Sequence, residues 1–470
     1  MGVDNLKKPT KKTKNNLPNW IIQTENGKRV KDDLLGEEIV KEDIFEIFKY
    51  NENNKKGSDI YQYNEKLGYW KHAEDRDIER VIGNKLKDYD LWTARGLFGP
   101  LKYIKTLSND IELEKIMYEV SEEKAALNNF NNCVYDVLSG KRYKHKRSYY
   151  FLSTHGYNLP EVKGNTQQTN KWFNESFGIN AQFMKEYIGY CFHKSYEPFQ
   201  EFVILLGTGG NGKTTFSNYL TKLIGSDEVS NVDLNRLADS NDRFSKSGLV
   251  GKSVNIGGEL SRNFIKDTSL IKALTGNDKM HVEFKGHNGI NVRLYAKLLF
   301  ACNELPPFRD SSDGFRRRIC IVKMNTIKDF RNKYSMKAIE SEIGSFALEC
   351  MEAYRQAYNR NKLSITKNME KECNTWLAEN NKVQQFVNER CTLDNPKSKE
   401  SLADLFKKFR EFCFANNYEP GQPIHLRKEL TNLGFETTTH ARGPEGKDAR
   451  GFKGISLKTE SKTPKETHLT

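Results

Sequence analysis

The residues with the clearest chemical potential form a glycine-rich loop near the middle of the chain. The loop has the spacing Gly-x-x-x-x-Gly-Lys-Thr, follows an apolar run at 202–206 and precedes an amphipathic segment. Glycines at this spacing let backbone N–H groups turn around polyphosphate oxygens, and the next helix adds its positive dipole end. We therefore predict a nucleotide-binding loop; the alternative is a glycine turn that merely joins a strand to a helix. The predicted nucleotide-binding residues are Gly207, Thr208, Gly209, Gly210, Asn211, Gly212, Lys213, Thr214 and Thr215.

Two side chains of this loop have distinct predicted roles. Lys213 is expected to reach the β- and γ-phosphates, and the Thr214 hydroxyl to bind Mg²⁺. A second apolar run, at 253–259, ends in Glu259. A carboxylate at the end of a neighbouring strand can bind the Mg²⁺ shell, orient the attacking water, or do both. The expected cofactors are therefore ATP and Mg²⁺, with Thr214 and Glu259 as metal-binding residues.

Further apolar runs follow along the chain, each beside polar residues. Residues 282–289 have hairpin character, and Asn303 directly follows an apolar run at 296–302. The arginine cluster 316–318 precedes a fourth apolar run at 319–322.

In this order the motifs resemble those of superfamily three helicases, and more closely the helicase part of phage, plasmid and poxvirus-type primase–helicases. The resemblance runs from about residue 127 to the C-terminus, and five motifs in the right order are far more specific than the loop alone. It implies an α/β fold with a P-loop ATPase domain of the AAA+ type. It also implies an enzyme, an ATP hydrolase and DNA helicase, that forms a homo-oligomeric ring, expected to be a hexamer.

The resemblance further implies roles for single residues. Besides Lys213, the implied catalytic residues are Glu259, which activates water, and Asn303, which contacts the γ-phosphate or the water. Arg317 or Arg318 is implied to be a finger that reaches the ATP of the neighbouring subunit. Lys272 is implied to act in trans as well.

Two hairpin residues, Lys285 and His287, are implied to grip single-stranded DNA in the central channel. The sequence departs from the family at the second strand, which ends in one acid, Glu259, where relatives often have two. This single acid is therefore expected to serve both metal and water. Three consecutive arginines leave the identity of the finger open.

The predicted biological role is a replicative helicase or initiator of a phage, plasmid or integrated mobile element. Two alternatives stay open. One is an origin-binding initiator whose ATPase drives assembly instead of processive unwinding. The other is a non-catalytic DNA-binding scaffold with a degenerate ATPase. Further replication proteins are possible partners.

Composition agrees with a polyanionic partner. The chain has 470 residues, of which 37% are hydrophobic and 29% charged, and its formal net charge is +13. A basic multidomain protein suggests nucleic acid before a membrane surface as partner, although an AT-rich genome also produces Lys- and Asn-rich surfaces. No apolar run has membrane-spanning length and no signal peptide opens the chain, so we expect a cytoplasmic protein of a bacterial host and no membrane partner. Eight scattered cysteines without a Cys-x-x-Cys pair argue for reduced thiols and against a zinc site.

Composition shifts predict six consecutive parts. They are a disordered basic tail at 1–18, an N-terminal α+β accessory or oligomerisation region at 19–195, the P-loop ATPase domain at 196–330, a helical region packed on it at 331–381, a winged-helix domain at 382–458 and a disordered tail at 459–470.

The winged-helix prediction depends on the order of elements near the C-terminus. Helices are expected near 383–390, 402–415 and 423–433, followed by a glycine-punctuated basic hairpin at 435–457. In such a domain the third helix enters the major groove of a duplex, here an origin, and the wing follows the backbone or minor groove. A winged helix that is used only for protein contacts is the alternative. The predicted DNA contacts are His425, Arg427, Lys428, Arg442, Lys447 and Arg450.

Overall fold

In the computed structural model, the described part of the chain has three hydrophobic cores that follow one another along the sequence. They lie within residues 20–104, 126–376 and 383–455. The central core includes residues 126–199, which the sequence assigns to the accessory region, together with the sheet of the expected ATPase domain. Among the predicted site residues that the structure describes, Glu259 and Arg442 are described by their backbone alone. The described residues are 17–25, 27–42, 45–49, 58–107, 120–237, 239, 242, 244–259, 268–284, 289–306, 313–380, 382–416, 418, 420–442 and 448–458.

The N-terminal unit packs helices against small antiparallel sheets. Strands β1 and β2 form one pair, and β3, β4 and β5 form a three-stranded sheet. A capping box between Glu74 and Asp77 begins α2. The elements are β1 (Ile21–Thr24), β2 (Gly27–Val30), α1 (Asp32–Lys41), β3 (Phe45–Lys49), β4 (Ser58–Asn64), β5 (Tyr69–His72), α2 (Asp75–Lys87) and α3 (Phe98–Thr106).

A second group of elements leads into the central sheet. Strands β6, β7 and β8 form an antiparallel sheet, and α6 is buried along most of its length because it lies inside the central core. The elements are α4 (Glu122–Ala125), β6 (Leu127–Phe130), β7 (Cys133–Asp136), β8 (Arg142–Tyr143), α5 (Gln167–Phe177) and α6 (Ala181–Cys191).

The central sheet has five parallel strands in the order β10-β11-β14-β9-β15. Strands β9, β14 and β15 are almost entirely buried, which explains their continuous apolar sequences. Strands β12 and β13 form a separate antiparallel pair. The elements are β9 (Phe202–Leu206), α7 (Lys213–Ile224), β10 (Val229–Ser230), α8 (Leu234–Leu237), β11 (Val254–Glu259), α9 (Ser269–Thr275), β12 (Lys279–Val282), β13 (Ile290–Arg293), β14 (Lys297–Cys302), α10 (Asp313–Arg316) and β15 (Ile319–Lys323).

The chain continues through helices that contribute to the central core. The long helix α13 packs against α6, and α14 packs against β15. The elements are α11 (Phe330–Lys333), α12 (Met336–Ser341), α13 (Ile343–Asn359) and α14 (Lys367–Asn380).

The C-terminal unit has three helices and short strands. Strands β17, β18 and β19 each pair with the other two, and β18 and β19 form an antiparallel hairpin. The elements are α15 (Lys382–Arg390), β16 (Cys391–Thr392), β17 (Lys399–Ser401), α16 (Leu402–Ala415), α17 (Pro423–Asn432), β18 (Thr437–Arg442), β19 (Asp448–Lys453) and β20 (Ser456–Leu457).

The chain contains eight cysteines, and all of them are buried free thiols. Among the described residues, no cluster of three or more His, Cys, Asp or Glu side chains is arranged to hold a metal ion. In the same part of the chain, no helix is both long and apolar enough to cross a bilayer.

Candidate functional site

The glycine-rich loop connects β9 to α7. Gly210 and Gly212 have φ values of +79° and +90°, in the left-handed region that favours glycine. At Gly207 a Cβ atom would lie 1.6 Å from Nδ2 of Asn211, so a side chain has no room there. Asn211 is only 4% exposed, and its amide donates a hydrogen bond of 3.4 Å to the Met324 carbonyl. The buried Asn211 therefore fixes the conformation of the loop, and the geometry favours glycine at Gly207, Gly210 and Gly212.

Lys213, the first residue of α7, lies against the loop. Its Nζ donates hydrogen bonds to Oδ1 of Asn303 at 2.8 Å, to Oδ1 of Asn211 at 3.2 Å and to the Gly207 carbonyl at 2.5 Å. These acceptors orient the ammonium group toward the loop and Asn303.

The position of Asn303 follows from strand order. Strand β14 lies next to β9 in parallel register, and Cys302 pairs with Leu206. The residue after β14 and the loop after β9 therefore meet at the carboxyl edge of the sheet. The structure thus brings Lys213 and Asn303 together, two residues that the sequence predicts for one site.

A cleft of about 400 Å³ opens beside the loop. Loop residues 209–215 and Asn303 line one side of it. The other lining residues are Trp172, Ser176, Ile327, Phe330 and Arg331.

Sequence motifs did not identify these five lining residues. Among them, Arg331 is exposed at the start of α11, and its guanidinium has no hydrogen-bonding partner in the described part of the chain. Strand β15 is the other neighbour of β9, and Lys323 pairs with Leu206. A segment that follows β15 therefore starts at the edge where the loop lies. Its position after the last parallel strand is the signal that could have identified Arg331.

The second strand ends at the same edge. The backbone of Glu259 pairs with Ala301 in β14, after a bulge that begins at Ile256. A carboxylate that the sequence did not identify lies beside it, because Oδ1 of Asp233 accepts a hydrogen bond of 3.2 Å from the Gly258 N–H. Asp233 is exposed and follows β10, the strand next to β11. The structure therefore provides a second acid next to the end of β11.

The arginine cluster lies at the opposite end of β9 from the loop. Arg318 immediately precedes β15, and its carbonyl accepts a hydrogen bond of 2.7 Å from the N–H of Phe202, the first residue of β9. A strand rises about 3.3 Å per residue, so the length of β9 separates the cluster from the loop by about 16 Å. The structure therefore does not bring the arginines to the cleft that contains Lys213.

The three arginines have different surroundings. Arg318 is 7% exposed, and its guanidinium donates to Oγ1 of Thr275 at 2.9 Å and to the Gly314 carbonyl. Arg316 donates to Oδ1 of Asn374 at 2.6 Å. Arg317 is exposed, and its guanidinium has no hydrogen-bonding partner among the residues that the structure describes, although its N–H donates to the Asp313 carbonyl at 3.1 Å.

The residues implied to act in trans or on DNA are distributed over other elements. Lys272 is half-buried on α9, one turn before Thr275. Because the Thr275 hydroxyl accepts a hydrogen bond from Arg318, Lys272 lies near the arginine cluster. Strands β12 and β13 pair antiparallel on either side of the segment predicted as a hairpin, but Lys285 and His287 in that segment lie outside the described residues.

In the C-terminal unit, three of the predicted DNA contacts share one helix. His425, Arg427 and Lys428 are exposed on α17. Arg450 is exposed on β19 and lines a groove beside α16. Arg442 ends β18, and Lys447 lies outside the described residues.

One buried cation lies away from the cleft. Lys297 begins β14, and its Nζ donates to the carbonyls of His193 at 2.6 Å and Tyr295 at 2.9 Å. The Nζ lies 4.3 Å from the ring centroid of Tyr190 and 5.0 Å from that of Tyr196. Burial lowers the pKa of the Lys297 ammonium from 10.5 to about 7. This group is part of the packing at the amino end of the sheet.

Comparison with known proteins gives a family match and similar solved structures. A family described only as one of unknown function, DUF5906, matches residues 205–318. The A form of the apo NrS-1 C-terminal region is 14% identical with a TM-score of 0.49, and the match covers 90% of this chain and 100% of that chain. Another apo structure of the NrS-1 C-terminal region is 12% identical with a TM-score of 0.47 and the same coverage. The family match extends from the end of β9 to Arg318, so it includes the glycine-rich loop, the Glu259 strand and Asn303.

Proposed function

We propose that the chain is a Mg²⁺-dependent ATPase whose subunits form a ring that moves along DNA, as in superfamily three helicases. The observation that carries this proposal is the 2.8 Å contact between Lys213 Nζ and Asn303 Oδ1. It joins the cation of a glycine-rich loop to the polar residue that follows the neighbouring strand. Open parallel sheets bind ligands outside the carboxyl ends of their strands, where this contact lies.

The chemistry of this edge fits a nucleoside triphosphate. The loop N–H groups and the start of α7 supply positive potential for the phosphates, and Lys213 adds a full charge. Mg²⁺, held through Thr214 and an acid, would neutralise charge on the β- and γ-phosphates. Phosphoryl transfer needs mainly positioning and electrostatic stabilisation of the phosphates. These groups, together with Asn303, are of the types that can supply both. Glu259 accepts the proton of the attacking water in this proposal, and Asp233 is the second acid available to the metal shell.

An arginine in trans explains the position of the cluster. Arg317 lies at the other end of β9 from its own loop, about 16 Å away by the length of that strand, and its side chain is exposed. It is therefore better placed to contact the nucleotide of a neighbouring subunit than its own. Arg318 is bound to Thr275 and Gly314 of its own chain, which leaves Arg317 as the finger. Hydrolysis then requires an assembled ring, for which a hexamer is the stoichiometry we propose.

Several features support DNA as the partner. The net charge is +13, and the β12–β13 hairpin is separate from the central sheet, as a pore hairpin would be. In the C-terminal unit, the order α15, β16, β17, α16, α17, β18, β19 supports the proposal of a winged helix, with α17 as the groove-binding helix.

A second candidate function is an origin-binding initiator whose ATPase drives assembly. The exposed His425, Arg427 and Lys428 on α17 favour it, since a groove-lying helix can present such side chains to base edges. Unwinding of a tailed duplex distinguishes the two candidates, because an assembly ATPase binds the duplex without separating its strands.

The test of the main proposal is phosphate release from ATP, with and without single-stranded DNA. Lys213→Ala should abolish release, whereas Lys222→Ala, on the same helix and in a surface ion pair with Glu340, should retain it. DNA should stimulate the wild-type protein. ATP hydrolysis by Lys213→Ala at the wild-type rate would show that the loop is not the nucleotide site.

A further inference from the structure

A groove of about 710 Å³ follows the outer face of α16 in the C-terminal unit. The inner face of this helix contributes Leu405, Phe409 and Phe412 to the C-terminal core. Phe406, which packs partly against this core, and the exposed Phe414 line the groove. The helix therefore exposes a large aromatic side chain, Phe414, among the polar residues of its outer face, where a helix at the surface of a globular unit normally has polar side chains alone.

The apolar side chains of the groove are accessible to a partner. Phe414 is 63% exposed and Phe406 is half-buried. Leu402 and Pro423 extend the apolar surface at its ends. Exposed apolar surface that is continuous and concave marks binding sites for other molecules.

The rim of the groove is basic. Lys407, Arg410 and Arg450 are exposed along it, and its acid, Glu411, is paired with Lys408 at 2.8 Å. The Arg410 guanidinium lies 5.9 Å from the ring centroid of Phe414. A carboxylate bound by Arg410 would therefore adjoin an apolar side chain that contacts Phe414.

The dimensions of the groove agree with a short helix. From Leu402 to Phe414 the helix α16 rises about 18 Å, the length of about three helical turns. Peptide helices bind such grooves through apolar side chains at i, i+3 or i+4, and i+7. The aliphatic Leu402 and Pro423 line the groove beside Phe406 and Phe414, whereas single-stranded DNA is bound on successive aromatic faces.

We propose that the α16 groove binds an acidic amphipathic helix of a partner protein. Its apolar face would lie on Phe406 and Phe414, and its carboxylates would pair with Lys407, Arg410 and Arg450. This interaction is separate from nucleotide hydrolysis. It shares Arg450 with the predicted DNA-binding wing, so partner and duplex would compete there.

The probe is a fluorescein-labelled peptide of about 16 residues with Leu and Phe on one helical face and Glu on the other. Its binding to the full chain is measured by fluorescence anisotropy, beside the same peptide with Lys in place of Glu and beside labelled oligo(dT). We expect the Glu peptide to bind and the Lys peptide not to bind. Phe414→Glu should weaken binding of the Glu peptide at least about tenfold.

The matched control is Ile424→Glu, because Ile424 is 68% exposed in the same unit but does not line the groove. This variant should bind the Glu peptide like the wild type. Arg410→Glu should weaken binding of the Glu peptide and strengthen binding of the Lys peptide. Because this variant gains one interaction as it loses the other, its result tests the groove even if the Phe414 variant fails to fold. Three outcomes would each overturn the proposal. The Glu peptide could fail to bind, the Phe414 and Ile424 variants could lose equal affinity for it, or Phe414→Glu could remove binding of oligo(dT).

Discussion

The carbonyl of Arg318 accepts a hydrogen bond from the N–H of Phe202, and the strand that Phe202 begins ends at the loop of Lys213. The arginine cluster and the loop therefore lie at opposite ends of one strand. In the proposed ring, this arrangement would present one end of β9 to the subunit's own nucleotide and the other end to a neighbour. The surroundings of Arg317 and Arg318 then predict different effects of mutation.

Arg317→Ala should reduce ATP hydrolysis by a factor on the order of 1,000 or more without changing thermal stability, because an arginine finger acts mainly on the transition state. Arg318→Ala should instead lower the free energy of unfolding by about 1–3 kcal/mol, because it leaves the buried Thr275 hydroxyl without this donor. Phosphate release and thermal unfolding of the two variants measure these effects. The assignment is wrong if Arg317→Ala is destabilised and Arg318→Ala is not.

Trans complementation tests the same assignment independently. A Lys213→Ala subunit can still donate Arg317, and an Arg317→Ala subunit still has an intact loop. Mixed rings of the two inactive proteins should therefore recover part of the ATPase activity. Mixed rings that demonstrably form but stay inactive would argue against a finger in trans.

The two acids at the carboxyl edge should differ in their effects. Glu259→Gln should retain ATP binding and lose hydrolysis, because an amide cannot accept the proton of the attacking water. Asp233→Asn should raise the Mg²⁺ concentration needed for half-maximal activity more than it lowers the maximal rate. Hydrolysis at varied Mg²⁺ measures both effects. If Glu259→Gln hydrolyses ATP at the normal rate and Asp233→Asn is inactive, Asp233 is the acid that activates water and Glu259 the one that binds the metal shell.

Arg331 should bind the phosphates of the subunit's own nucleotide. Arg331→Ala should weaken ATP binding about tenfold or more, since hydrogen bonds to charged groups contribute about 1.5–3 kcal/mol, and should leave adenosine binding unchanged. Lys328→Ala is the matched control, an exposed cation three residues earlier that does not line the cleft. Calorimetric titration compares the variants. Equal losses for ATP and adenosine would assign Arg331 to the base instead of the phosphates.

Lys297 predicts a defined pH dependence of stability. Its pKa is lowered from 10.5 in the unfolded chain to about 7 in the fold, so between these values the unfolded state binds the additional proton. Its contribution to the free energy of unfolding therefore rises as the pH increases from 7 toward 10.5, and is constant below pH 7. In Lys297→Met this slope should disappear relative to the wild type. Chemical denaturation at several pH values measures the difference, and an exposed Lys222→Met change should leave the slope intact.

The apolar runs predicted at 202–206, 253–259, 296–302 and 319–322 are strands of the central sheet, because strands buried on both faces have continuous apolar sequences. The three C-terminal helices also lie within a residue of the predicted ranges. The resemblance implied a nucleotide contact for Asn303, and the structure places this residue beside the loop because β14 and β9 are neighbours in parallel register.

Other parts of the cleft could not be predicted, because tertiary packing determines them. Trp172 belongs to α5, which precedes β9 in sequence, and Arg331 follows β15 in a segment without a motif. The different surroundings of Arg317 and Arg318 depend on burial, which three identical residues in a row do not indicate. Asp233 was not identified because it follows a strand of only two residues, β10.

Because the two ends of β9 serve different nucleotide sites in the proposed ring, a minority of defective subunits should strongly reduce its ATPase activity. A subunit without Lys213 inactivates one site, and a subunit without Arg317 inactivates its neighbour's site. A subunit that lacks both therefore inactivates two adjacent sites. Such a double variant is expected to be dominant in mixtures, because each copy incorporated removes activity from a normal subunit as well as its own.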